Sequence, residues 1–129
     1  MAVVEGLEFG AGRRLPVFLQ TEAAECGLAS LGMIASFHGH RIDLAGLRRR
    51  FTLSLKGATL AYLMQVAGRL HLAPRPLRLG LEELGRLKTP CILHWDLNHF
   101  VVLKSAAGRQ AVIHDPAFGV RRLPLAEVS

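Results

Sequence analysis

Apolar residues follow two different patterns, one in each half of the chain. From Glu22 to Phe37 nearly every position is apolar or small, and Glu22 and Glu25 place acidic side chains at the start of this stretch. Acidic groups there complement the helix dipole, and Gly39 can end the helix in a left-handed conformation. A helix that is apolar on all sides is a buried one, so we expect it at the centre of the core.

Two glycines, Gly27 and Gly32, fall inside this predicted helix. Glycine in a helix interior costs about 1 kcal/mol relative to alanine. We therefore expect neighbouring elements to pack closely against the helix at these two positions.

Two shorter helices are predicted next. Asp43 is a good N-cap for a helix that runs to about Arg50. A further helix is predicted from Thr59 to His71. Its apolar face consists of Leu60, Leu63, Met64, Ala67 and Leu70.

From Ala73 onward the prolines and glycines end the helical pattern. A short strand and a helical turn are predicted at Pro76–Leu79 and Glu82–Leu87. Three strands follow at Cys91–Trp95, His99–Leu103 and Ala111–His114, with a fourth candidate at Val120–Leu123. Their first two connections are Asp96–Asn98 and Ser105–Gly108. Helices first and an antiparallel sheet second predict an α+β domain.

Length and hydropathy predict one domain. The chain has 129 residues, of which 50% are hydrophobic, enough to bury a core. Residues 1–14 resemble a flexible lead-in, and residues 15–129 form the predicted domain. The apolar run Cys26–Phe37 is shorter than the roughly 20 residues of a membrane-spanning helix. With no signal-peptide pattern either, we expect a soluble cytoplasmic fragment.

The formal charge of +6 is partly local, at Arg13, Arg14 and Arg48–Arg50. These arginines fit a solvated basic face, or a surface for an acidic peptide, an anionic membrane or nucleic acid. Nucleic acid is the weakest of these readings, because one Tyr and one Trp offer little base stacking. We predict no nucleic-acid partner.

The two cysteines, Cys26 and Cys91, would stay reduced in the cytoplasm. No Cys-x-x-Cys or His-x-x-x-His pair is present, so we predict no metal site. Cys91 follows Pro90 among apolar residues and fits an inert buried thiol.

Four residues together fit thiol catalysis. Cys26 lies in the first helical turn, where the dipole and backbone N–H groups favour thiolate. His99 begins one strand and Asp115 follows the next, so a hairpin would let Asp115 orient the imidazole. Gln20 could hold an oxyanion together with the Cys26 N–H. Taken singly, each also fits a structural role, such as a buried thiol, a strand-end histidine or a turn former before Pro116.

Two motifs resemble those of a known family. The run Gln20-Thr21-Glu22-Ala23-Ala24-Glu25-Cys26-Gly27-Leu28-Ala29, followed by Met33 and Phe37-His38-Gly39, resembles the cysteine motif of the C39 peptidases. Asn98-His99-Phe100-Val101-Val102 with Ile113-His114-Asp115-Pro116 resembles their histidine motif. The resemblance runs from about Leu15 to the end of the chain and implies a papain-like fold.

The resemblance implies a function as well. C39 peptidases are cytoplasmic N-terminal domains of ABC exporters for bacteriocins, here of the colicin V type, at the bacterial inner membrane. They cleave a leader peptide after a Gly-Gly pair. By resemblance Cys26 is the nucleophile, His99 the general base and then acid, Asp115 the orienting residue and Gln20 the oxyanion donor. The expected partners are the leader peptide and the transmembrane and nucleotide-binding domains of the same transporter. No cofactor is expected in this domain, since ATP would bind a separate one.

Substrate contacts are predicted less directly. We expect Trp95, Asn98, Gly57 and Ala58 to line a cleft too narrow for a Cβ, with Tyr62 nearby. The resemblance also implies a docking surface for a leader helix. Its candidates are Tyr62, Met64, Val66 and Leu70, although such helical spacing more often marks the core.

Three alternatives remain open from the sequence. The domain could be a docking module without catalysis, although Cys26, His99 and Asp115 argue against this. Another thiol acyl-transfer hydrolase would share these residues without requiring Gly-Gly. A basic nucleic-acid-binding domain would show steep salt dependence and no thiol reactivity.

Overall fold

The computed structural model describes residues 14–51, 59–74, 86–95 and 99–128. Within these ranges three α-helices come first, α1 (Cys26–Phe37), α2 (Leu44–Arg50) and α3 (Leu60–Arg69). They are followed, within the same ranges, by four strands, β1 (Cys91–Trp95), β2 (His99–Ala107), β3 (Gln110–Asp115) and β4 (Gly119–Pro124). A short 3-10 helix at Ala23–Glu25 precedes α1, and another at Leu125–Glu127 follows β4. The α+β class predicted from the sequence is confirmed.

Helix α1 is the central element of the core, as its all-round apolar character predicted. Every residue from Cys26 to Ala35 is buried. A Cβ on Gly27 would lie 2.9 Å from Leu63 Cδ1, and one on Gly32 would lie 2.6 Å from Leu47 Cδ1. Both glycines therefore allow a neighbouring helix to approach closely, which confirms the expected packing. Gly39 ends the helix with a φ of 100°, in the left-handed region that glycine favours.

Helices α2 and α3 begin after Asp43, the predicted N-cap, and after Thr59, the predicted helix start, which also acts as an N-cap. Asp43 Oδ1 accepts from the Gly46 N–H at 2.8 Å, and Thr59 Oγ1 accepts from the Tyr62 N–H at 3.1 Å. The buried face of α3 consists of Leu63, Val66 and Ala67, and continues in Leu70.

The predicted apolar face of α3 is wrong at two residues, Leu60 and Met64. Leu60 is 44% exposed and Met64 only partly buried. The buried stripe centres on the line from Leu63 to Leu70, and at 100° per residue both Leu60 and Met64 fall at or beyond its edge.

The sheet is antiparallel in the order β1-β2-β3-β4. Side chains of β2 alternate between two clusters, because Val101 and Leu103 pack with Ile113 and Ala111, whereas Val102 packs with Met33 and Leu15. Strand period 2 thus buries both faces of β2.

The predicted turn at Ser105–Gly108 is wrong. Strand β2 continues to Ala107, which pairs with Gln110 across a two-residue turn at Gly108 and Arg109. The register shifts between Leu103 and Ser105, which is the mark of a bulge in β2. Small residues after Lys104 resemble a loop, yet they pair because Ala111 and Val112 supply strand partners. The fourth strand candidate is confirmed as β4.

Several predictions fall outside the described residues. These are the lead-in apart from Arg14, the strand at Pro76–Leu79, most of the turn at Glu82–Leu87 and the connection Asp96–Asn98. Among the residues that are described, no helix has the length and apolar character needed to cross a membrane.

Candidate active site

The sheet brings His99 and Asp115 together, as predicted from the hairpin that their two strands form. Asp115 is the last residue of β3, where the sequence placed it just beyond the strand. The His99 Nε2–H donates to Asp115 Oδ1 at 2.7 Å. The Asp115 side chain is 1% exposed and that of His99 is 28% exposed. A buried carboxylate therefore holds an imidazole that still reaches solvent.

Two further donors hold Asp115. The Ala117 N–H donates to Oδ1 at 2.9 Å, and Arg121 Nη1 donates to Oδ2 at 3.4 Å. The Arg121 guanidinium also lies 5.2 Å from the centre of the Phe118 ring. Arg121 was not predicted from the sequence, although its place on β4, across the turn from Asp115, is the signal that could have indicated it. Both carboxylate oxygens of Asp115 are thus oriented.

Cys26 is the first residue of α1 and contacts the residue that follows His99. The Phe100 N–H donates to Cys26 Sγ at 3.4 Å, and the Ser30 hydroxyl donates to the Phe100 carbonyl at 3.2 Å. Cys26 and Ser30 are four residues apart on one helix face. Two side chains of helix α1 therefore bind both backbone polar groups of Phe100, its N–H and its carbonyl. The Cys26 thiol is thus held at the backbone of the residue that directly follows His99.

The Phe100 ring adds a third contact between the sheet and α1. It stacks on the His94 ring at 4.2 Å between centroids, with an interplanar angle of 10°. The ring also lies close to α1, since a Cβ on Gly27 would be 3.2 Å from Phe100 Cδ2. The glycine after the cysteine therefore leaves room for the aromatic residue after the histidine.

Gln20 connects the turn before α1 to the segment after Asp115. Its backbone N–H donates to the Pro116 carbonyl at 2.8 Å, and its side-chain Nε2 donates to the Glu22 carbonyl at 3.1 Å. The contacts of Gln20, Cys26, His99 and Asp115 thus join all four predicted residues into one region of the molecule.

Glu25 has a larger role than the acidic first-turn residue that the sequence predicted. Its side chain is buried and accepts from the Thr21 N–H, the Thr21 hydroxyl, the Glu22 N–H and the Arg48 guanidinium. The hydrogen bond from Arg48 lowers the pKa of Glu25 to about 2. Arg48 therefore belongs to an intramolecular ion pair, and only the rest of the run Arg48–Arg50 fits the solvated face or partner surface considered above.

Two further titratable groups, His114 and Cys91, are not part of the candidate site. His114 Nδ1 contacts the Pro16 carbonyl at 2.9 Å, and side chains next to each other on a strand, such as His114 and Asp115, point to opposite sheet faces. Burial lowers the pKa of His114 below its ordinary value. Burial also raises the pKa of the Cys91 thiol to about 11, so this thiol stays protonated at neutral pH.

Most predicted substrate contacts lie beyond the described residues. Gly57, Ala58 and Asn98 are among those not described, and of Trp95 only the backbone in β1 is. Tyr62 is partly buried and packs against the helical core cluster that contains Cys26.

Of the docking candidates on α3, Val66 is 1% exposed and Leu70 2% exposed. Both belong to the core and cannot contact a leader peptide, because α1 and its neighbours already cover them. No group of three His, Cys, Asp or Glu side chains within the described ranges is placed to hold a metal.

Two proteins of related sequence match almost the whole chain. The Colicin V secretion/processing ATP-binding protein CvaB of Escherichia coli is 52% identical over 98% of this chain. The probable microcin-H47 secretion/processing ATP-binding protein MchF, also of Escherichia coli, is 51% identical over the same share. The chain spans 18% of the length of each of these two relatives.

A solved structure shares the fold. It is a double glycine motif protease from an AMS/PCAT transporter, in complex with the leader peptide. The match has a TM-score of 0.81 and 36% identity, and it covers 89% of this chain and 83% of that one. The model of the Peptidase C39 family matches residues 14–129. This chain therefore belongs to the Peptidase C39 family of cysteine peptidases.

Proposed function

We propose that this domain removes a leader peptide after a Gly-Gly pair from a bacteriocin or similar peptide, with Cys26 as nucleophile. The observation that carries the proposal is the chain of contacts from Asp115 Oδ1 through His99 Nε2 to the neighbouring Phe100 N–H and Cys26 Sγ. Nucleophilic thiol catalysis requires an oriented imidazole next to a thiol, and these contacts hold the thiol at the backbone of the residue that directly follows His99.

Acylation uses both nitrogens of His99. Asp115 holds the Nε2–H, so Nδ1 is the nitrogen that takes the proton from the Cys26 thiol. The thiolate adds to the carbonyl carbon of the second glycine, and the carbonyl electron pair moves to oxygen. When the tetrahedral intermediate collapses, the C–N bond breaks and Nδ1–H gives its proton to the leaving amine. The leader remains bound to Cys26 as a thioester.

Deacylation reverses the proton path. Nδ1 takes a proton from water, and the resulting hydroxide adds to the thioester carbon. The C–S bond then breaks, Cys26 leaves as thiolate, and the leader departs as a free carboxylic acid. The Phe100 N–H stays at hydrogen-bond distance from Sγ and can stabilise negative charge there in both steps.

Gln20 is the proposed oxyanion donor together with the backbone N–H of Cys26. Its side-chain amide already lies at the turn before α1, where it donates to the Glu22 carbonyl. Removal of one oxyanion donor in other acyl-transfer enzymes lowers kcat by about 10²–10³-fold. We expect Gln20→Ala to fall in this range.

The wider setting is proposed from the relatives. Both Escherichia coli relatives are named as secretion/processing ATP-binding proteins, and the related protease was solved with a leader peptide. We infer that this domain acts on the leader of a precursor peptide at the cytoplasmic face of the inner membrane. Its other partners are the transmembrane and nucleotide-binding domains of the same transporter. ATP would bind the nucleotide-binding domain.

Cleavage of a precursor peptide tests the proposal. The chain is incubated with a peptide whose leader ends in Gly-Gly, and the products are identified by mass spectrometry. We expect one cut after the second glycine, loss of the cut in Cys26→Ala, and an unchanged cut in Cys91→Ala, the matched control. Iodoacetamide at neutral pH should label Cys26 and spare Cys91, because the Cys91 pKa is about 11.

The other outcomes identify the alternatives. Binding of the precursor without a cut would indicate a docking module. An equal cut when both glycines are replaced by alanine would indicate a thiol hydrolase with no need for Gly-Gly. A cut by Cys26→Ala equal to that of the unmodified chain would contradict the mechanism.

A further inference from the structure

A carboxylate that takes no part in the chemistry above lies directly before Cys26. Glu25 is 3% exposed. Its Oε1 accepts from the Thr21 N–H at 2.9 Å, the Thr21 hydroxyl at 3.0 Å and the Glu22 N–H at 3.2 Å. These donors hold the buried Glu25 carboxylate in one geometry, because a movement that breaks one of these hydrogen bonds leaves part of the buried negative charge uncompensated.

The strongest of these donors comes from a different helix. Arg48 of α2 places Nε on Glu25 Oε2 and Nη2 on Glu25 Oε1, the latter at 3.0 Å. The same Nη2 donates to the Thr21 hydroxyl at 2.8 Å. The planar guanidinium thus bridges both oxygens of one carboxylate and the hydroxyl beside it, which a lysine ammonium cannot reproduce.

The segment that Glu25 holds is the one that orients Gln20. The Gln20 amide donates to the carbonyl of Glu22, and the N–H of Glu22 donates to Glu25. At the other side, the Gln20 backbone is tied to Pro116. Since α1 already fixes Cys26, the Glu25–Arg48 pair determines where the residues before α1, and hence the Gln20 amide, lie relative to Sγ.

We propose that Glu25 and Arg48 are positioning residues, which hold the Gln20 amide where the oxyanion develops. The proposal rests on the proposed function, because it assigns these residues to the transition state of that cleavage. It differs from a purely structural role in one respect. A misplaced oxyanion donor lowers kcat while substrate binding is retained, since the ground-state carbonyl carries little charge.

Arg48→Met, compared with Arg49→Met, tests the proposal. Both arginines are on α2, and Arg49 makes no hydrogen bond or ion pair with Glu25. For Arg48→Met we expect kcat to fall about 10–100-fold with KM within about threefold, as for a small misplacement in an active site. Arg49→Met should match the unmodified chain. Thr21→Val removes only the bridging hydroxyl, and its loss of kcat should be smaller, about threefold to tenfold.

A double substitution tests the route through Gln20. If Arg48 acts by placing the Gln20 amide, then Gln20→Ala with Arg48→Met should lose no more kcat than Gln20→Ala alone. An inhibitor in which an aldehyde replaces the scissile carbonyl should weaken in Arg48→Met by the same factor as kcat/KM.

Three results would overturn the proposal. They are a rise in KM at unchanged kcat, equal losses in Arg48→Met and Arg49→Met, and losses that multiply in the double variant. Thermal unfolding of each variant shows whether it is folded, and Thr21→Val, at an exposed residue, keeps the test available if Glu25→Gln or Arg48→Met unfolds. Failure of the proposed function looks different, because the unmodified chain would then not cut after Gly-Gly, or Cys26→Ala would.

Discussion

The sheet and the helical half hold their parts of the site by different contacts. His99 and Asp115 lie on adjacent paired strands, whose register runs through Val102 and His114. Gln20 and Glu25 precede α1, and the segment between them is held by side chains, above all by Arg48 from another helix. Backbone pairing positions the proposed base, whereas under our proposal a buried carboxylate positions the oxyanion donor.

This difference implies different sensitivities. Strand pairing itself does not titrate, so the backbone register that places His99 beside Asp115 has no pH dependence of its own. The helical half depends on the ionised carboxylate of Glu25. Its stability should therefore respond to pH and to the loss of Arg48, which is far from Glu25 in the sequence.

The largest effect is expected in the sheet half, for Asp115→Ala. This change removes the acceptor of the His99 Nε2–H, so the imidazole loses its orientation and the charge that stabilises its protonated form. We expect kcat to fall about 10²–10⁴-fold with little change in KM. Steady-state cleavage of a Gly-Gly precursor measures this. Asp115→Asn keeps the side-chain shape and serves as a folding control, and an Asp115→Ala chain with unchanged kcat would exclude the orienting role.

The second effect is expected in the helical half and concerns acid. The folded pKa of Glu25, about 2, lies below its ordinary value of 4.5. The unfolded chain therefore binds the proton first, and the stability that Glu25 contributes is present above pH 4.5 and lost as pH falls toward 2. We expect about 2 kcal/mol of this contribution to disappear between pH 6 and pH 3.

Urea unfolding at both pH values measures this loss. Other acidic groups titrate in the same range, so the comparison is with Glu25→Gln, which lacks the group. The pH dependence of Glu25→Gln should be flatter by the same amount. Equal slopes in the two chains would show that Glu25 does not carry the acid sensitivity.

The third effect joins the two halves, at Ser30. Ser30→Ala leaves the buried Phe100 carbonyl without its hydroxyl donor, which should lower the free energy of unfolding by about 1–3 kcal/mol. Urea unfolding measures it, with Ser36→Ala, on the same helix but only partly buried, as the control. A loss in Ser36→Ala equal to that in Ser30→Ala would mean that the hydroxyl bond contributes nothing specific.

The smallest effect is expected for Arg121→Met. Arg121 is 37% exposed and 3.4 Å from Asp115 Oδ2, so solvent weakens the interaction. A half-exposed ion pair is worth less than about 1 kcal/mol, which corresponds to at most about a fivefold loss of kcat. Arg122→Met, on the same strand and more exposed, should match the unmodified chain. A loss as large as that of Asp115→Ala would move Arg121 into the essential machinery.

Much of the fold could be predicted because its signals are local. The caps Asp43 and Thr59, the all-apolar α1 and the left-handed Gly39 each depend on residues a few positions apart. The hairpin geometry also allowed the His99–Asp115 contact to be predicted. The turn after β2 was predicted wrongly because small residues there resemble a loop, while the strands that pair with them lie further along the chain.

The Glu25–Arg48 pair could not be predicted, and the reason is long-range packing. Glu25 carries a local signal, since its side chain caps the turn that starts at Glu22. Nothing near it in the sequence identifies Arg48 among three consecutive arginines. Only the crossing of α2 past the start of α1 selects that one. Likewise, the contact of Phe100 with Ser30 depends on how a strand lies against a helix.

The two bonds that Phe100 makes with α1 also limit how the molecule can move. A hinge that opened the helical half away from the sheet would have to break both bonds and expose the Phe100 ring. We therefore expect this joint to stay closed during turnover, so that substrate enters from the side of the thiol and any regulation acts on entry. Amide exchange offers a direct check, since the Phe100 N–H should exchange with solvent about as slowly as the most protected core amides.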